Sequence, residues 1–212
     1  MVNLFYLDHN PKKCSKYYCD KHVIKIIVEI LQILSQIHHN IGTKKPPYKK
    51  CKAIHESLAP YRWASYSIGN YKYCINLAKY LIEEYKYRFE KNNHKSEKAL
   101  FWLDNNIPIQ IKRKNKTKFL LTNNVNIYSN YFIDIVSASR SMYVDFKCSN
   151  DKWTKREIPE WFIKLDRSQG IKKEKLIIKI LDNVKNKLPE LSKKHKLKVR
   201  RYHSFLRICY DN

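Results

Sequence analysis

From Asp20 to His39 the chain runs without a glycine or a proline. At about 100° per residue, Val23, Ile26, Ile27, Ile30, Leu31, Ile33, Leu34 and Ile37 wrap most of a helical cylinder. A helix that is apolar over most of its circumference has to be buried, so the rest of the fold must be built around it. Asp20 is the expected N-cap, and Asn40-Ile41-Gly42 the stop. One narrow stripe breaks the apolar surface: His22, Lys25, Glu29, Gln32 and Gln36, spaced i, i+3, i+7, i+10 and i+14. By the same rotation it is roughly 80° wide. A carboxylate and an imidazole among so many isoleucines must find partners or shift their ionisation. Lys25 and Glu29 are i,i+4 neighbours and can pair. The stripe is either a polar seam against another helix or a catalytic floor. In the second case Glu29 is the acid/base, His22 its hydrogen-bonding neighbour and Lys25 a charge partner or phosphate contact.

The remaining pattern is also helical. Residues 2–8 read as a short extended segment, followed by Pro11. Residues 43–53 form a basic loop with a Pro-Pro stop. A second helical zone runs from near Pro60 to about Phe89, with Gly69-Asn70 as a candidate break. Shorter helices are expected around 95–104 and within 128–146, and an amphipathic one over 171–187. Strand signals are weak throughout. The fold class is therefore mainly α: a compact helical domain over 1–162, with a short extended N-terminal segment and a basic helical C-terminal extension over 163–212.

Lys and Arg number 43 against 19 Asp and Glu, a formal charge of +24 in 212 residues. Solubility needs far less, so a polyanionic partner is expected, nucleic acid before an anionic membrane. The extension carries net +10. Five basic residues fall within seven positions at Lys112, Arg113, Lys114, Lys116 and Lys118, and a second run spans Lys193 to Arg201. That second run reads equally as a nuclear-localisation signal or a solvated helix face. With only three glycines, the chain has neither GxGxxG nor a phosphate-binding Gly-rich loop, which argues against a dinucleotide or P-loop site. Six cysteines are scattered without CxxC or zinc-finger spacing, so no metal and no cofactor are expected, and reduced thiols are. No signal peptide or bilayer-spanning run is read, so an intracellular, non-secreted protein without membrane association is expected.

Two further motifs bear on function. Glu84 and Arg88 are i,i+4 partners in a tyrosine- and lysine-rich helix, either a weak surface salt bridge or a mate for the stripe. Trp153 to Phe162 offers Lys155 and Arg156 to phosphate and Trp153 to a base, while Trp161 and Phe162 read as core anchors.

Asp20-x-His22-Val-Ile with Glu29 seven residues after the histidine resembles the pyrimidine-dimer DNA glycosylase/AP lyase family of the viral endonuclease V type. Glu84-Tyr-Lys-Tyr-Arg88-Phe89 resembles the Glu, Arg and aromatic pattern of that family's second long helix, and His55 its upstream His-Pro element. Where the family has arginines flanking the catalytic Glu, this chain has Val28 and Gln32. Over residues 2–162 the chain is more closely similar to uncharacterised phage and large-DNA-virus proteins. They share Asp20–Val23, Glu84–Phe89, His94–Ser96 and Trp153–Phe162.

The glycosylase resemblance implies an N-terminal α-amine as nucleophile, a Schiff base at the sugar C1′ and strand cleavage by β-elimination. Val2 is small enough for Met1 removal and would then carry the amine, with Glu29 and His22 beside it. A terminal amine suits this chemistry, because its reference pKa near 7.7–8.0 leaves a usable neutral fraction at pH 7. The expected nucleic-acid contacts are Lys21, Lys25, Arg62, Arg88, Lys112, Arg113, Lys155, Arg156, Lys198 and Arg200, on double-stranded DNA. The alternatives are a non-catalytic packaging or condensing protein, and a different viral enzyme acting on nucleic acid or nucleotides.

Overall fold

The computed structural model describes residues 4–120, 134–147 and 152–165, with side chains of the 135–147 helix described to Val144. The chain divides into two units, Met1–Leu165 and Asp166–Asn212. Val2, the 171–187 helix, Lys198 and Arg200 lie outside the described residues. The described part is mainly helical: α1 (Pro11–Tyr17), α2 (Asp20–Asn40), α3 (Ala59–Tyr66), α4 (Ile68–Phe89), α5 (Glu97–Asn105) and α6 (Ile135–Lys147). Among the described residues no helix is long and apolar enough to cross a membrane.

α4 is the hub, packing on α1, α2, α3 and α5. Its buried positions Tyr71, Cys74, Ile75, Ala78, Leu81 and Ile82 repeat at three and four residues, one broad stripe facing the core. α2 meets it with Val23, Ile26, Ile27, Ile30, Leu34 and Ile37, all at most 1% exposed. The N-terminal segment Leu4–Leu7 is non-helical and buried between these helices. It is tied down by Tyr18, whose hydroxyl donates to the Phe5 carbonyl at 2.6 Å and accepts from the Phe5 amide at 3.1 Å. No disulfide forms among Cys14, Cys19, Cys51 and Cys74. Burial pushes the Cys14 thiol up to about 11.

Three boundaries differ from the sequence reading. The N-cap of α2 is Cys19, and Asp20 is the first helical residue. Asp20 is withdrawn from capping because its carboxylate accepts from Thr154 and Arg88 instead. The second helical zone breaks at extended Ser67, two residues before Gly69, where the Ser67 side chain caps α4 through the Asn70 amide. α1 was not expected at all, although Asn10 followed by Pro11 is a start signal: the Asn10 side chain accepts from the Lys12 and Lys13 amides. Seven residues carry too little periodicity to reveal a helix.

The basic loop 43–53 is not helical, and buried and half-buried polar groups of α2 hold it in place. Gln36 Oε1 accepts from the Cys51 amide at 3.0 Å, and His39 Nε2 meets the Tyr48 carbonyl at 2.8 Å. His38 is 1% exposed, bonded to Thr43 Oγ1 and Tyr71 Oη, each at 3.1 Å. Burial, and secondarily neighbouring His39, lowers His38 from 6.5 to about 4. The unfolded chain therefore binds this proton from pH 6.5 downward and the folded chain does not until about pH 4. His38 stabilises the fold fully above pH 6.5, and that stability is lost as the pH falls towards 4. The expected loss from this group is about 1 kcal/mol at pH 5.5. Urea unfolding of the parent and His38→Gln at pH 7.5 and 5.5 checks it: the variant should lose less stability over that interval.

Candidate functional site

The stripe on α2 divides into an outer and an inner row. Lys21, Ile24 and Lys25 are exposed, with Val28 and Gln32 half-buried behind them. His22, Glu29 and Gln36 are buried at 5%, 7% and 3% exposure. Gln36 serves the basic loop, as above. His22 and Glu29 are seven residues apart, two turns on one face and about 10 Å along the axis. Lys25 Nζ reaches Glu29 Oε1 at 3.3 Å, so the expected pair forms.

His22 sits in a dense polar and aromatic nest. Its Nδ1 lies 2.8 Å from Tyr143 Oη and 3.0 Å from Cys19 Sγ. Tyr143 Oη also accepts from the Cys19 amide at 3.0 Å, one of the donors at the start of α2. The imidazole ring packs against Phe5, centroids 5.1 Å apart, and Tyr143, 5.2 Å apart. α6 thus supplies a neighbour to His22 that no short motif announced, because Tyr143 lies 121 positions further along the chain. Its only trace in the sequence is a helical apolar pattern.

Glu84 and Arg88 are not a weak surface pair. Arg88 is 1% exposed and Glu84 5%. Arg88 Nε donates to Glu84 Oε2 at 3.0 Å, and Nη1 to the Tyr18 carbonyl at 2.7 Å and Asp20 Oδ1 at 3.2 Å. Nη2 donates to the Lys16 carbonyl at 3.0 Å. Arg156 closes the cluster on the other side of Glu84, with Nη2 2.8 Å from Oε1 and Nε 3.0 Å from Oε2. The Glu84 carboxylate raises Arg156 above the usual arginine value. Two guanidiniums and two carboxylates make a neutral set joining α1, the start of α2, the end of α4 and the 152–165 segment.

Arg88 and Arg156, expected on phosphate, are therefore bonded inside the protein. Trp153, expected against a base, is 6% exposed, donates Nε1 to the Tyr17 carbonyl at 3.1 Å and packs on Phe162 at 4.9 Å. It belongs to the core with Phe162. Lys155 is exposed and paired with Glu90.

Lys112, Arg113, Lys114, Lys116 and Lys118 are all exposed, as are Lys21 and Arg62. The backbone of the run is fixed. The Ile68 amide donates to the Lys112 carbonyl and the Gly69 amide to that of Lys114, each at 3.0 Å. Buried Asn70 donates from Nδ2 to Thr117 Oγ1 and accepts from the Thr117 amide, at 2.8 and 2.7 Å. Lys116 Nζ bonds the His9 carbonyl at 2.7 Å and lies over Tyr73 at 4.8 Å. Among the described residues no group of three or more His, Cys, Asp or Glu converges to hold a metal ion.

Comparison with protein-family models, curated proteins and solved structures finds no match. The described residues offer a buried His22–Glu29 face on α2, exposed lysines beside it and a fixed basic run on the first turn of α4.

Proposed function

We propose that the protein is a DNA glycosylase with AP-lyase activity, using an N-terminal amine beside the His22–Glu29 face of α2. The observation that carries this reading is the docking of the N-terminal segment on His22. Phe5 is 1% exposed and packs on the imidazole. Three residues of chain span at most about 10 Å, so an amine on Val2 would come within that reach of Phe5. The neutral amine would attack C1′ and displace the base, or condense with the aldehyde of an abasic site and release water. Either route gives an imine. Loss of a C2′ proton then expels the 3′ phosphate. Glu29 would carry those protons, with His22 on the same face as its neighbour. Lys21 and Lys25, exposed on the adjoining row, would meet phosphate.

The test is reductive trapping with borohydride on a duplex containing one abasic site, after N-terminal sequencing has established that Val2 is the first residue. The expected result is a covalent complex, lost when a Gly-Ser extension precedes Val2. Glu29→Gln should slow strand cleavage by roughly a hundred-fold or more, the usual scale of acid–base assistance. No trapping by a folded, correctly processed chain ends this reading.

A second reading, nucleic-acid binding without chemistry, is favoured by the fixed, exposed run from Lys112 to Lys118. It expects salt-sensitive DNA binding with no trapping.

A further inference from the structure

The far end of α2 borders a second feature. The basic loop and the start of α5 enclose a groove of about 420 Å³ lined by Pro47, Tyr48, Lys95, Lys98, Ala99 and Trp102. Tyr48 and Trp102 are half-buried, while Lys95 and Lys98 are exposed. The aromatic walls are built before any ligand arrives. Tyr48 is held at both ends, its hydroxyl by Ser96 Oγ at 2.8 Å and its carbonyl by His39. Trp102 is backed by the His38 ring at 4.9 Å. Such pre-ordering removes much of the entropic cost of binding. Lys44, Lys45, Lys49 and Lys50 are exposed along the same loop. Glu97, the acidic residue of the adjoining helix turn, is taken up by Lys86.

Fixed aromatic rings beside a rim of exposed lysines are the elements that hold single-stranded nucleic acid: bases stack on the rings and phosphates meet the lysines. A duplex keeps its base faces covered and could use only the rim. We propose that this groove is a stacking site for single-stranded nucleic acid, with a base against Tyr48 and Trp102 and its flanking phosphates on Lys95 and Lys98. Trp102 rests on His38, nine residues beyond Glu29, about 14 Å along the helix. The groove is therefore separate from the proposed catalytic face and does not depend on it.

The probe is a twelve-nucleotide thymidine oligomer, followed by fluorescence anisotropy and by tryptophan emission of the full-length protein. The oligomer should bind and quench tryptophan emission. Trp102→Leu should lose most of the quench and weaken binding about ten-fold. The double variant Lys95→Glu/Lys98→Glu, altered only at exposed positions, should keep the parent's circular dichroism. It should weaken binding at least ten-fold and reduce the slope of log K against log salt by about 1.4, the value for two phosphate contacts on a single strand. A uridine oligomer of the same length should also quench, since stacking is indifferent to the sugar. The site is overturned if both variants bind like the parent. It is equally overturned if the matching duplex quenches as strongly, or if polyglutamate displaces the oligomer at equal charge concentration. Neither groove variant should alter borohydride trapping, so loss of trapping with the quench intact strikes the glycosylase reading alone.

Discussion

Arg88→Leu should destabilise the fold by about 3–5 kcal/mol, the scale for removing one partner from a buried ionic set. The substitution keeps an apolar stem in the core but leaves the Tyr18 and Lys16 carbonyls without their donor and strips Glu84 and Asp20 of one cation each. Arg156 still holds Glu84, and Thr154 still holds Asp20, so the damage falls chiefly on the junction of α1 and α2. Against a domain stability of about 5–15 kcal/mol, that is a large fraction. Arg88→Lys should also fail to restore the parent. An ammonium cannot reproduce a fork that reaches two carboxylates and two carbonyls at once. Urea midpoints at pH 7 measure both variants, with an unchanged m-value required for a pure stability reading. A loss below about 1 kcal/mol for Arg88→Leu would mean that the cluster is not a keystone. Exposed Glu90, paired with Lys155, provides the contrast: Glu90→Gln should leave the midpoint where it is.

That contrast shows what a sequence can carry. The spacing of Glu84 and Arg88 announced a pair and could not announce its burial, because burial depends on Tyr18, Lys16 and Arg156 arriving from elsewhere in the chain. The long helices were legible because their apolar residues repeat at 3.6 over five or more turns, as in α2 and α4. The short α1 was not, and the start of α2 was displaced by one residue because a distant Thr154 competes for the Asp20 carboxylate. Likewise the stripe on α2 reads as one row of five polar residues, yet they serve different purposes. Gln36 fastens a loop, Glu29 faces Lys25, and His22 meets Tyr143. Those partners lie 15, 4 and 121 residues away, and only the nearest was inferred. The basic run at 112–118 was legible as charge. Its fixed backbone, which turns charge into a shaped surface, depends on Gly69 and Asn70, whose sequence signal is only that of a helix break.

Of the two glycines in the described part of the chain, Gly69 is expected to be much the less tolerant of an added methyl. In an exposed helix the change from Gly to Ala stabilises by about 1 kcal/mol, and Gly69 lies near the start of α4 without a positive φ to forbid a side chain. The obstacle is external. A Cβ at Gly69 would stand 2.1 Å from the Lys116 amide nitrogen and 2.4 Å from the Asn115 carbonyl carbon. Both are backbone atoms, so no rotamer change relieves the contact. The segment that must retreat is the one bonded to Ile68, Gly69 and Asn70, and Ser67 Oγ donates to its Asn115 carbonyl at 3.2 Å. Moving it exposes or orphans several of these groups together, and Asn70 is fully buried. Overpacking typically costs about 1–3 kcal/mol, and a clash with rigid backbone belongs at the upper end, which for a chain of this size lowers the melting temperature by roughly 6–12 °C. Gly42→Ala separates this cause from backbone strain. Gly42 has φ +79° with nothing within 4 Å of an added Cβ, so its cost should be limited to about 1 kcal/mol of left-handed strain. Thermal unfolding of the two variants should therefore rank Gly69→Ala well below Gly42→Ala. The same displacement reaches function, because the lysines from 112 to 118 ride on the backbone that Gly69 admits. At a temperature where Gly69→Ala remains folded, it should bind duplex DNA more weakly than the parent although its net charge is unchanged. Equal affinity would show that the run acts only as diffuse charge and that its fixed position contributes nothing to binding.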